Sequence, residues 1–231
     1  MAQSRPEGLE EEVSRSTAQD ETQGLGEATP QAAPIADPTP LGLAGFALTT
    51  FLLSIINAGW LDQIGTFIPL AFFYGGLAQL LAGMWEFRKN NRFGAVVFTS
   101  YGAFWGALGF FFLFANILGV LTDVGASVGW TLVAWTVFTL YVGVASMKVN
   151  RAVFVLFCVF VVTLILLDLG FLLGIAGLIT AGGYAGIILA LCAWYTSAAG
   201  LINHTFGRVV LPLGPPIGES ASYTRRPAPP E

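Results

Sequence analysis

The chain has 231 residues, 55% of them hydrophobic and 10% charged, with a mean hydropathy of +0.72 and a formal net charge of −4 at pH 7. A soluble domain carries about 25% charged residues, so this composition excludes an ordinary soluble fold. It also excludes a nucleic-acid-binding arm, because the surplus charge is acidic and sits largely in Glu7, Glu10, Glu11, Glu12, Asp20, Glu21 and Glu27.

Residues 1–36 are acidic, poor in apolar side chains and end in a Pro/Ala stretch. They predict a disordered tail without the basic and apolar regions of a signal peptide. A helix needs about 20 apolar residues to cross the hydrocarbon. Windows near 41–60, 66–87, 94–116, 127–147, 151–172 and 183–204 meet that need. The expected fold is an all-α membrane protein with six transmembrane helices over residues 37–211. Residues 212–231, rich in proline, are expected to form a second disordered tail.

The basic residues set the topology. Arg5 and Arg15 precede the first span; Arg88, Lys89 and Arg92 separate the second from the third; Lys148 and Arg151 separate the fourth from the fifth; Arg208, Arg225 and Arg226 follow the sixth. All ten fall on one side, and the other loops hold Asp62 and Asp123. Both termini are therefore expected to be cytoplasmic, in a multi-pass protein of the plasma or inner membrane.

In chain order, Asp37-Pro38-Thr39-Pro40 precedes Leu41-Gly42-Leu43. Thr39 suits an N-cap and Pro40 the first helical turn, which leaves free N–H groups at a positive dipole end. In the first span Phe46, Thr50, Ser54 and Asn57 share one narrow face, with Thr49 at its border. Such a face serves either helix packing or a wet path. Small residues crowd the second span (Gly75, Gly76, Ala78, Ala82, Gly83), where Gln79 is an intramembrane amide that needs partners. Gly102 and Gly106 make a GxxxG in the third span, which favours close helix approach. Glu86 beside Arg88 and Lys89 reads as an interfacial ion pair. Asp168, near the outer end of the fifth span, reads as a solvated mouth residue, a proton relay or a contact between protomers. His204 reads as interfacial. Cys158 and Cys192 lie inside spans with no CxxC or Cys/His cluster, so neither a disulfide, a metal site nor a cofactor is expected.

The pattern of motifs resembles the acetate uptake transporter family, the succinate–acetate permease (SatP, YaaH) group. The entrance motif is Asp37-Pro38-Thr39-Pro40-Leu41-Gly42-Leu43, with Asp37 where the family usually has Asn. A second motif runs Phe73-Tyr74-Gly75-Gly76-Leu77-Ala78-Gln79, then Ala82-Gly83 and Glu86. A third runs Phe93-Gly94, Phe98-Thr99-Ser100-Tyr101-Gly102 and Phe104-Trp105. Phe138-Thr139-Leu140, Phe206-Gly207-Arg208 and Val210-Leu211-Pro212 complete it. The resemblance spans about residues 37–214. It implies a homohexamer with one path per protomer, in the lipid bilayer. It also implies proton-coupled uptake of acetate and related short carboxylates, succinate among them, and a hydrophobic constriction at Phe46, Tyr101 and Phe160. The last of these is usually Leu, so the ring at Phe160 is expected to narrow the path.

No span has Lys or Arg near its centre. The groups left to meet a carboxylate are hydroxyls and amides: Thr50, Ser54, Asn57, Gln79, Thr99, Ser100, Tyr195 and Asn203, besides Tyr101 and Thr196. That set suits a weakly held solute or one carried with its proton. Asp168 and Glu86 are the proton-coupling candidates. Rival readings are a passive carboxylate or small-solute channel, a non-transporting membrane sensor and a membrane enzyme. The last lacks a nucleophile, metal cluster or paired carboxylates within the spans.

Overall fold

The computed structural model describes residues 35–120 and 124–219. Its described helices all lie in one compact unit that begins at Asp37. Six are long and apolar enough to cross a membrane: α1 Thr39–Asn57, α2 Ile64–Arg88, α3 Arg92–Asn116, α4 Val124–Ser146, α5 Arg151–Leu173 and α6 Ala176–Phe206. No strand occurs among the described residues. Asp123 and the basic residues Arg5, Arg15, Arg225 and Arg226 lie outside them.

The helix starts follow from short polar side chains. Asn91 Oδ1 accepts from Gly94 N–H at 3.2 Å and Asn150 Oδ1 from Val153 N–H at 2.9 Å, each satisfying a free donor of the first turn. At α1 the expected cap moves by one residue. Pro38 occupies the N-cap position and Thr39 is already helical. Asp37 Oδ1 accepts from Thr39 N–H at 3.0 Å, while the Thr39 hydroxyl donates to Glu86 on α2. A tertiary acceptor has taken the hydroxyl that a local cap would have used.

Small residues decide which helices touch. α1 lies along α6, α6 along α5, α5 along α4 and α2 along α3. A methyl group at Gly83 would stand 2.4 Å from the backbone nitrogen of Thr99, so α2 and α3 meet there backbone to backbone. α2 carries a π-helical turn over Phe73–Ala78, which includes Gly75 and Gly76. There, too, a side chain is excluded, since a Cβ on Gly75 would sit 2.4 Å from Thr49 Oγ1. A π turn inserts one residue without breaking the helix, and here it seats α2 against α1. α3 and α4, by contrast, are held apart by rings: Phe104 to Trp135 at 4.9 Å and Tyr101 to Phe138 at 5.3 Å between centroids.

α6 has 31 residues, longer than the window expected for it. Its extra first turns carry glycines that lower the apolar signal. They pack closely all the same, with Gly182 against Leu167 and Gly183 against Ala58. Beyond α6, residues 210–217 make specific bonds to the helices. Val210 and Leu211 N–H donate to Asn203 Oδ1, and Asn203 Nδ2 donates to Leu211 O. Tyr195 Oη donates to Pro212 O at 2.7 Å, Ala152 N–H to Leu213 O at 2.9 Å and Ile217 N–H to Met147 O at 2.8 Å. Proline-rich composition signals a chain that cannot form helix; it says nothing of backbone carbonyls and N–H groups that neighbouring helices can bind.

Candidate functional site

Two cavities lie in line along the bundle. The larger, about 310 Å³, is a vestibule at the end where the described basic residues gather, with Asp37, Lys89, Asn91 and Asn150 among its lining. Gln79, Thr196 and Leu156 lie along its wall, and Phe46, Tyr101 and Phe160 also line it. The second cavity, about 50 Å³, is lined by Thr50, Ser54, Asn57, Trp105, Thr163 and apolar side chains; none of its lining residues is charged. Phe160 borders both.

The three rings between the cavities form a closed triangle. Centroids are 5.8 Å apart for Phe46 and Tyr101, 5.2 Å for Phe46 and Phe160, and 5.2 Å for Tyr101 and Phe160. They are 4%, 2% and 6% exposed, so no open passage runs between them. Edge-to-face contacts at these distances are favourable for aromatic pairs. Three helices supply one ring each, and the helix rotations that bring them together come from the close packing described above.

Tyr101 presents only its ring. Its hydroxyl lies 2.8 Å from Thr139 Oγ1 on α4, and Thr139 donates its own proton to Trp135 O at 2.7 Å. Tyr101 is therefore the donor to Thr139, and its hydroxyl is fully engaged away from the other two rings. The barrier is accordingly apolar. On either side of it stand buried polar atoms without a protein partner: Gln79 Oε1 in the vestibule, Thr50 Oγ1 and Trp105 Nε1 at the second cavity. Buried polar groups are normally satisfied, so these atoms are the ones that water or a solute would meet.

The polar face of α1 runs along the whole line. Pro40, Leu43 and Phe46 line the vestibule, and Thr50, Ser54 and Asn57 line the second cavity. α6 makes room for this face with Gly186, where a Cβ would lie 2.2 Å from Ser54 Oγ.

Other residues singled out in the sequence sit elsewhere. Thr99 packs on Gly83, and neither it nor Ser100 lines a cavity described above. Tyr195 and Asn203 hold the C-terminal segment in place. Glu86 forms no ion pair with Arg88 or Lys89. It is fully buried, and its two oxygens accept from the Thr39 hydroxyl and from Asn91 Nδ2, the latter at 2.8 Å. Lys89 pairs instead with Asp37, Nζ to Oδ1 at 2.7 Å. Burial pushes the Asp37 carboxyl up, but hydrogen bonds from Lys89 and Thr39 and the Lys89 charge outweigh it and hold the group below the usual carboxylate range. Asp168 is not a solvated mouth residue. It is 7% exposed on α5, with Oδ2 accepting from Thr136 on α4 at 2.6 Å and Oδ1 unpartnered, and it lines neither cavity.

Sequence reasoning missed Asn91, Asn150 and Lys89 at the vestibule and Trp105 at the second cavity. An asparagine directly before an apolar helix was a readable cap signal for the first two. Nothing local marked Trp105, whose ring is one of several on α3.

A family model described as the GPR1/FUN34/yaaH family matches residues 21–215. The chain belongs to the GPR1/FUN34/yaaH family. It is 39% identical over 181 residues to the succinate-acetate/proton symporter SatP of Escherichia coli K12, covering 78% of this chain and 96% of that protein. It is 41% identical over 178 residues to ammonia transport outward protein 2 of Saccharomyces cerevisiae; the match takes in 72% of this chain and 61% of the yeast protein's length. The solved structure of the bacterial acetate channel SatP matches with a TM-score of 0.74 at 38% identity, covering 78% of this chain and 99% of that one. With six membrane-spanning helices, this family member is a multi-pass membrane protein.

Proposed function

We propose that this protein is a permease for acetate and related short carboxylates, succinate among them. One observation carries the reading: two in-line cavities separated by a triangle of rings, with no fixed cation between them. A site meant to hold an anion tightly inside a membrane would place Arg or Lys there, because an unpaired charge in hydrocarbon is expensive. A path of hydroxyls and amides around an apolar barrier favours a small solute that passes quickly or travels with its proton. Similarity to a protein known as a succinate-acetate/proton symporter and to the structure of an acetate channel supports transport over catalysis. Reconstituted protein should take up labelled acetate, and uptake should acidify the vesicle lumen if a proton accompanies each solute. Liposomes that gain no acetate flux would overturn the reading. The yeast relative's name makes ammonium the informative alternative solute for the same vesicles.

The vestibule is assigned to the cytoplasmic face. Arg88, Lys89, Arg92, Lys148, Arg151 and Arg208 all lie at or just beyond helix ends on its side, and Asp62 lies between α1 and α2 at the other. An impermeant thiol reagent applied to cells should label Asp62→Cys and spare Asn90→Cys. The reverse pattern would invert the topology.

Phe160 is the third side of the barrier and borders both cavities. Phe160→Leu keeps an apolar side chain of near-equal insertion cost and removes ring volume between the cavities. Uptake of propionate or succinate should rise relative to acetate. An unchanged ratio in protein that still assembles would show that Phe160 packs without selecting.

A further inference from the structure

Among the residues that line the vestibule, Asp37 and Lys89 are the two that carry formal charge. They are paired at 2.7 Å, and Asp37 also accepts from Thr39 N–H at 3.0 Å. The Asp37 carboxylate therefore takes both the cation and the backbone donor that a solute's carboxylate would use on reaching this mouth. Its side chain is 54% exposed and that of Lys89 34%, so both groups are within reach of an arriving anion. Deeper in the same cavity Gln79, 1% exposed, keeps its amide oxygen unpartnered, so the vestibule has a polar station beyond the pair.

We propose that Asp37 is a selectivity residue of the entrance, an internal carboxylate that competes with the solute for Lys89. The inference rests on the reading of the protein as a carboxylate permease. While the pair is intact the mouth offers an anion no net attraction, and Asp37 itself repels it. The repulsion scales with the solute's charge, so a dicarboxylate is disfavoured more than a monocarboxylate. This mouth is thereby biased toward acetate-like solutes by charge, in addition to the sorting by size at the rings.

Asp37→Asn tests this with little structural disturbance. The amide oxygen can still accept from Thr39 N–H, so the start of α1 keeps its bond, while the charge is lost and Lys89 is freed. Removing one unit charge at roughly 7 Å in a water-like dielectric changes the affinity of a monoanion about threefold and of a dianion about ninefold. Half-saturation for acetate and succinate would be measured in proteoliposomes presenting the vestibule mouth, in wild type, Asp37→Asn, Lys89→Gln and the double variant. Asp37→Ser, which keeps a capping oxygen, serves as the second variant should Asp37→Asn assemble poorly. The expected result is a larger gain in affinity for succinate than for acetate in Asp37→Asn, a gain that shrinks at high salt and is smaller in the Lys89→Gln background, where only the lost repulsion remains. Equal half-saturation in wild type and both Asp37 variants would overturn the proposal, as would a gain of undiminished size when Lys89 is lost. Wild-type vesicles that take up neither acid would instead remove the permease reading, which the wild-type arm reports separately.

Discussion

Phe46→Ala and Tyr101→Ala should each join the two cavities into one passage, and lactate uptake should rise relative to acetate by about 10- to 100-fold. The magnitude follows from what sterics can do. A single methylene of misfit in a shaped apolar site is worth about 10- to 200-fold in discrimination, and here an entire ring leaves a triangle whose members stand 5.2 to 5.8 Å apart. The barrier has no polar group at its centre to take over, because the Tyr101 hydroxyl is committed to Thr139. Tyr101→Phe is the matching control. It keeps the ring and loses one buried hydrogen bond, so it should cost about 1 kcal/mol of stability and leave the lactate-to-acetate ratio where it was. Competitive uptake in proteoliposomes reads both effects. If the alanine variants transport with unchanged rate and ratio, the three rings are packing alone and the path runs elsewhere.

Glu86→Gln should destabilise the protein although it is nearly isosteric. Glu86 is an acceptor shared between the N-terminus of α1, through the Thr39 hydroxyl, and the start of α3, through Asn91 Nδ2. A glutamine presents an NH₂ group to one of those donors. Asn91 cannot turn its amide to compensate, because its oxygen already caps α3 at Gly94. The Thr39 hydroxyl can accept from that group but loses its own acceptor, and because Thr39 is half-buried the cost is about 0.5–1.5 kcal/mol. Glu86→Leu takes the acceptor from both half-buried donors, and the cost rises to about 1–3 kcal/mol by the same reasoning. The melting temperature in detergent should fall for Gln and fall further for Leu. A Gln variant as stable as wild type would mean that Glu86 does not act as the shared acceptor.

These two sites differ in how far the sequence alone pointed to them. The six apolar windows, the one-sided basic residues and the face Phe46–Thr50–Ser54–Asn57 are properties of a single helix or of composition, so they can be read without knowing any neighbour. Helical periodicity is local: it fixes which side chains share a face. What that face meets depends on how each helix is rotated and how closely it approaches the next, and in a membrane those are set by small-residue contacts and interhelical hydrogen bonds. Gly83 against Thr99, Gly75 against Thr49 and Gly186 against Ser54 are such contacts. They bring Phe160 on α5 against Phe46 and Tyr101. The same packing leaves Thr99, Tyr195 and Asn203 away from the line of cavities, although as residue types they were equal candidates. It turns Asp168 into the α4–α5 seam, and it gives Glu86 neutral donors in place of the cations beside it in sequence. The residue types and the spans were determined by the sequence alone, and the pairing of Asp37 with Lys89, Glu86 with Thr39 and Asp168 with Thr136 only by the tertiary structure, because these contacts join helices far apart along the chain.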